Sequence, residues 1–221
     1  MPRFDLSTPA GRFHAGWDYF WSDHAFLRLA FSNAHWLGPD LVRTNQPSPR
    51  QLKGWADRGI KTVINLRGER DESYYWLEKA ACQALGITLI DAPLDSRDVP
   101  EPYRIHRAIT LFQTIEYPVL IHCKSGADRA GIMSVLYLHF RQGLPIREAL
   151  AQLSLKYLHI RHGKTGVLDY TFARYLTEGE PADMSFLEWV ESPLYDPAAM
   201  KADFRTNMWG NLLTESVLRR E

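Results

Sequence analysis

Short continuous apolar runs alternate along the chain with longer stretches whose apolar positions recur at helical spacing. KTVINLR (61–67), ITLIDAP (87–93) and PVLIH (118–122) read as buried strands. Between them, residues 71–85 form an expected helix stopped by Gly86, and a second helix spans about 102–115. A turn-rich stretch, GPDLVRTNQPSP, places Pro47 and Pro49 ahead of a short helix ending near Gly59. AGIMSVLYLHFRQ, directly after Arg129, is apolar nearly all round, as a central buried helix should be. Further helices are predicted at about 146–156 and 167–177.

Strands alternating with helices imply βαβ units. The expected fold class is α/β, a single domain with a largely parallel central sheet of four to five strands flanked by helices. The domain is expected over 35–178, with an aromatic N-terminal extension (1–34) and a helical C-terminal extension (179–221). The C-terminal extension holds two predicted helices, SFLEWVE and roughly DPAAMKADFRTNMWGNLLTESVLRR, with enough Leu, Phe and Trp to pack on the core.

Charge narrows the partners. Lys plus Arg and Asp plus Glu both number 26, so no global field recruits nucleic acid, and any anion site must be local. Two cysteines, Cys82 and Cys123, argue against a disulfide framework and for a reducing compartment. Cys82 reads as a buried helix thiol, with pairing to Cys123 left open. The first residues carry no signal-type apolar run and no stretch reaches transmembrane length, so a cytoplasmic protein is expected. The segment 13–36 is unusually aromatic, with Trp17, Phe20, Trp21, Phe26 and Phe31. Packing against the domain is the expected use of those rings, and a weak membrane-surface contact is the alternative. Sparse Lys and Arg, together with Asp18 and Asp23, count against an anionic surface.

The candidate chemistry lies in HCKSGADRAG, His122 to Gly131, between an apolar strand and an apolar helix. At such a junction loop amides can turn inward to bind an anion, and the helix N-terminus adds partial positive charge. The phosphate-binding loop would run from Lys124 through Ser125, Gly126, Ala127 and Asp128 to Arg129. Gly126 lets the backbone approach a phosphate, and the Arg129 fork can hold two of its oxygens. All of these groups favour a thiolate at Cys123, the candidate nucleophile.

This loop resembles the His-Cys-x5-Arg signature of the protein tyrosine and dual-specificity phosphatase superfamily, over about residues 35–177. TVINLRGERDE and RHGKTGV are also similar to stretches of the phosphatase-and-tensin homologue. The resemblance implies a phosphocysteine intermediate hydrolysed in a second step, with no metal and no cofactor. It also implies an aspartic acid on the loop APLDSRDVP that protonates the leaving oxygen. Ser96 occupies the expected column, flanked by Asp95, the favoured candidate, and Asp98, the other. Ala130 stands where the family has Ser or Thr, which predicts slow breakdown of the phosphocysteine. His122 is expected to support the loop backbone beside Cys123, and Asp128 to stabilise the loop or orient Arg129. The basic run Lys156, His159, Arg161, His162 and Lys164 is either a solvated face or an anionic-substrate wall.

The expected activity is therefore phosphomonoester hydrolysis of the protein tyrosine or dual-specificity type, on a phosphorylated protein. A lipid, inositol, saccharide or other small phosphomonoester is the alternative substrate, and a phosphate-binding module without turnover is the second alternative.

Overall fold

The computed structural model describes residues 3–28 and 31–206. Helix α1 (Pro9–Trp21) is capped by Thr8, whose hydroxyl accepts from the Gly11 amide. The strands β1 (His35–Leu37) and β2 (Leu41–Thr44) form a tight antiparallel pair, followed by α2 (Pro49–Ala56). The chain then runs β3 (Thr62–Asn65), α3 (Ser73–Leu85), β4 (Thr88–Asp91), α4 (Pro102–Thr114), β5 (Val119–His122) and α5 (Asp128–Phe140). Four shorter or broken pieces follow, α6 (Ile146–Ala149), α7 (Val167–Arg174), α8 (Phe186–Glu191) and a helical stretch over 197–206.

The sheet has five strands in the order β1-β2-β5-β3-β4, parallel except at the β1–β2 edge. Alternate side chains of its inner strands face two layers. Leu41, Ile64, Val119 and Ile121 meet α4, α5, α7 and α8, while Val42, Val63 and Leu120 meet Leu52, Trp55 and Cys82 of α2 and α3. Helix α5 is the central one, buried along nearly all its length.

Three expectations need correction. The stretch read as turn-rich contains β2, whose four residues are all buried. The helix expected over 146–156 is a single α turn, α6, followed by separate 3₁₀ turns at Leu150–Gln152 and Leu155–Tyr157. It breaks where Leu153 and Ser154 take non-helical backbone angles. The aromatic segment buries Tyr19 but leaves most of its large rings at the surface. Ala15, Tyr19 and Ala25 supply the inner face, against Tyr74 and Tyr75 of α3, and Ser73 Oγ donates to Asp18 at 2.6 Å. Phe13, Trp17 and Trp21, four residues apart, occupy another face of α1, and with Phe26 and Phe31 they remain between 38% and 66% exposed. Of the long C-terminal helix predicted from Asp196 onward, the part beyond residue 206 lies outside the described residues.

Helix α8 inserts Trp189, fully buried, among Tyr175, Phe186 and Tyr195. Trp189→Ala should therefore lower unfolding free energy by about 3–5 kcal/mol, read by chemical denaturation. A loss below about 1 kcal/mol would show that α8 is only an appendage.

Candidate active site

The carboxyl ends of the parallel strands converge where an open α/β sheet places its ligand crevice. Strand β5 ends at His122, Cys123 follows at 2% exposure, and α5 starts five residues later at Asp128. Gly126 bends the loop with φ +74, where a Cβ would sit 2.8 Å from the Asn45 amide nitrogen. Glycine is thus required here by crowding against the end of β2 as well as by the turn.

Arg43 of β2, fully buried, holds the loop from beneath. Its Nη2 donates to the carbonyls of Gly126 and Ala127 at 2.8 and 2.9 Å, and its Nη1 donates to Gln152 O and Oε1 at 2.8 and 2.9 Å. The guanidinium also stacks 4.3 Å from the Tyr157 ring centroid. Because a peptide plane points its N–H opposite its C=O, fixing these two carbonyls toward Arg43 turns the Ala127 and Asp128 amides away from it, the Ala127 amide lying 3.4 Å from Ser125 Oγ. Burial lowers the Arg43 pKa to about 10, with nearby Cys123 acting in the opposite direction, so the side chain stays cationic at neutral pH.

Arg129 stands at the start of α5, with Nη1 3.4 Å from the Leu66 carbonyl at the end of β3. Lys124 projects from the loop and reaches Asp23, with Nζ 3.5 Å from Oδ1. Asp23 also binds Arg67 at 2.8 and 3.1 Å and pairs with Arg28. Burial opposes its ionisation, yet the hydrogen bond and charge of Arg67, with Arg28 and Lys124, keep its carboxyl below the usual range. The N-terminal segment therefore reaches one flank of the loop.

His159 secures the other flank. Rather than lining a solvated face, it is fully buried between Asp128 (Nδ1 to Oδ1, 2.7 Å) and Asp169 (Nε2 to Oδ2, 2.6 Å). Burial alone would lower its pKa, but the bonds to Asp128 and Asp169 raise it to about 9. Asp128 is thus tied to the loop after α6, and Lys156, Arg161, His162 and Lys164 stay at the surface. Behind the loop, His122 Nε2 lies 2.7 Å from Glu78 Oε1 of α3, both side chains fully buried. Cys82 packs on the α2–α3 side of the sheet and Cys123 with the α5 side, and burial, reinforced by Glu78, pushes the Cys82 thiol up to about 12.

The acid loop is less committed. Asp95 is 69% exposed and only 3.9 Å from Arg104, while Asp98 pairs with Lys201 of the 197–206 helix. Neither has a hydrogen bond to the 122–131 loop among the described residues, and Ala130 is buried in α5. The contacts of Arg43, Asp23 and His159 with the loop, and of Glu78 with His122, join residues distant in sequence, so no local pattern reveals them.

A family model described as "DSP-PTPase phosphatase fused to NAD+ kinase" matches residues 38–165. The dual specificity protein phosphatase TpbA of Pseudomonas aeruginosa is 26% identical over 121 residues, covering 55% of this chain and 53% of that protein. The chain thus spans about half the length of the curated relatives it matches. Among solved structures, the active form of Tk-PTP superposes with a TM-score of 0.52 at 24% identity, covering 64% of this chain and 97% of that one. PTPMT1 gives 0.51 at 17% identity, covering 67% and 99%. These two likenesses show the cysteine phosphatase fold.

Two measurements probe the loop supports. Arg43→Met leaves the Gly126 carbonyl without its donor and the Ala127 carbonyl with only the Gly131 amide, so it should weaken vanadate binding more than tenfold and destabilise the protein by about 3 kcal/mol. For His159, a pKa raised from 6.5 to about 9 on folding means a stabilisation fully present below pH 6.5 and lost as pH rises through 9. Urea unfolding of wild type should show that decline between pH 6.5 and 9, and His159→Gln should lack it.

Proposed function

This chain belongs to the DSP-PTPase phosphatase family, and from that premise we propose that it hydrolyses phosphomonoesters through a phosphocysteine on Cys123. The observation that carries this reading is the junction itself: a nearly buried thiol at a strand end, under a loop whose carbonyls Arg43 pulls away, with Arg129 opening the next helix. In the first step the Cys123 sulfur attacks phosphorus and the ester oxygen leaves with a proton from the acid. In the second, water attacks the phosphocysteine and releases inorganic phosphate and the thiolate. Inward amides and Arg129 stabilise charge on the equatorial oxygens in both steps. Asp128, backed by His159, holds the loop rather than reacts. The His122 ring, expected to support the loop backbone, instead lies against Glu78 and makes no hydrogen bond to the loop among the described residues.

Asp95 is our assignment for the acid, since Asp98 is already engaged by Lys201. A phosphorylated protein is the default substrate. The phosphate-binding module without turnover is the rival favoured by a specific observation, the absence of either carboxylate from the loop together with Ala130.

Hydrolysis of para-nitrophenyl phosphate in the presence of chelator tests the reading. Wild type should turn over and Cys123→Ser should not. Asp95→Asn should cost about a hundredfold or more on phosphotyrosine peptides and little on para-nitrophenyl phosphate, whose leaving group needs no acid. The same pattern in Asp98→Asn instead would move the acid there. A stoichiometric burst without turnover would identify phosphocysteine breakdown as limiting, and no burst would favour the binding module.

A further inference from the structure

We propose that the protein docks on an anionic lipid bilayer through two apolar strips flanking the Cys123 loop. The first strip is the outward face of α1 and the turn after it. Phe13 stacks on Trp17 with centroids 6.3 Å apart, Trp17 meets Trp21 at 5.9 Å, and Trp21 meets Phe26 at 5.9 Å. Leu27 and Phe31 continue it, both exposed. The second strip lies on the loop after α6, where Leu155, Leu158 and Ile160 are 74%, 50% and 57% exposed, alternating with buried Tyr157 and His159. Leu158 also sits in left-handed backbone at φ 64. A bulky exposed side chain there gains nothing from packing and carries backbone strain, a pattern that belongs to working surfaces.

Both strips are fixed to the same catalytic loop. Asn33, two residues beyond Phe31, donates to the Ser125 carbonyl at 3.0 Å and to the Tyr157 carbonyl at 3.1 Å, joining the loop to both. Asp23, between Trp21 and Phe26, reaches Lys124. A surface seated on the strips would therefore lie beside the phosphate pocket.

The charge pattern selects an anionic bilayer as the occupant. No acidic residue occurs between Asp23 and Asp40 or between Glu148 and Asp169. In the second interval Lys156, Arg161, His162 and Lys164 are exposed among the leucines and isoleucine, with Arg161 also 3.1 Å from Asp169. Asp18 and Asp23, which argue against an anionic surface when read from sequence, do not face it as free charges. Asp18 accepts hydrogen bonds from Ser73 and Ser22, and Asp23 is buried among Arg28, Arg67 and Lys124. The exposed Trp and Phe of the first strip, and the Leu and Ile of the second interleaved with Lys and Arg, suit the headgroup region, where rings reach the acyl boundary and the cations of the second strip meet acidic lipids. No helix among the described residues is long and apolar enough to cross a membrane, so the contact is peripheral.

Docking itself does not rest on the phosphatase reading. The full chain is sedimented with vesicles of phosphatidylcholine alone and of phosphatidylcholine with phosphatidylglycerol, while tryptophan emission is recorded. Binding to the anionic vesicles at least tenfold stronger than to neutral ones is expected, with a blue-shifted emission. Trp17→Ser with Trp21→Ser, and separately Leu155→Ser with Ile160→Ser, should each cut binding at least tenfold at unchanged thermal stability. Lys156→Glu with Lys164→Glu should abolish the anionic preference. Equal affinity for both vesicles, no binding by wild type, or binding untouched by both apolar variants would overturn the proposal. So would a concentration-dependent dimer that the tryptophan variant dissociates, which would make the strip a contact between copies. Para-nitrophenyl phosphate turnover is followed alongside: docking without turnover would sink the phosphatase reading alone, and turnover without docking would sink this one.

Discussion

A buried guanidinium organises the catalytic loop. Arg43 is removed from water at the heart of the α/β sheet, a position that costs several kcal/mol unless the charge is fully engaged. Four hydrogen bonds and the Tyr157 ring engage it, and two of those bonds go to carbonyls of the loop that presents Cys123. The interaction ties three levels together. Strand β2 must pair with β5 to bring Arg43 under the loop, the loop must bend at Gly126 to expose its carbonyls there, and the amides must then face the pocket. Losing any one of these leaves a buried charge or a buried carbonyl unsatisfied, so the arrangement is cooperative.

Around that centre the molecule uses charge pairs rather than apolar contacts to fix the loop's flanks. Asp23 gathers three cations on one side and His159 bridges two carboxylates on the other. Overall charge balances to zero, yet at the pocket the geometry concentrates positive groups: Arg129, Lys124 and the first amides of α5. A local anion site in a neutral chain arises in this way, through placement rather than through composition.

What was legible in the sequence follows from how local each signal is. The His122–Gly131 loop could be read because strand, loop and helix start are contiguous, and β3, β4 and β5 because their runs are unbroken by charge. Strand β2 was hidden by its own chemistry: LVRT contains Arg43, which looks like a surface residue until its partners at 126, 127 and 152 are known. Glu78 was hidden for the same reason, since α3 lies far in sequence from His122. The aromatic segment misled in the opposite direction. Aromatic content suggests burial, but only one face of α1 meets the domain, and that face is supplied by Ala15 and Tyr19.

Soluble chains rarely hold contiguous large apolar side chains at the surface, because each sheds a favourable burial of about 1.5–3 kcal/mol. Here the exposed rings and leucines are not scattered. Apart from Trp36, Tyr103 and Leu194, those among the described residues lie on the two segments, 13–31 and 155–160, next to or among Asp23, Asn33 and His159, which contact the catalytic loop. The chain thus places much of its exposed apolar surface on the same short elements that contact the Cys123 loop. The contacts between these segments and the loop are the Asn33 hydrogen bond to Ser125 and the ion pairs of Asp23 with Lys124 and of His159 with Asp128. Under the proposed docking, whatever covers the strips would therefore also orient the loop, since the same short elements carry both sets of contacts.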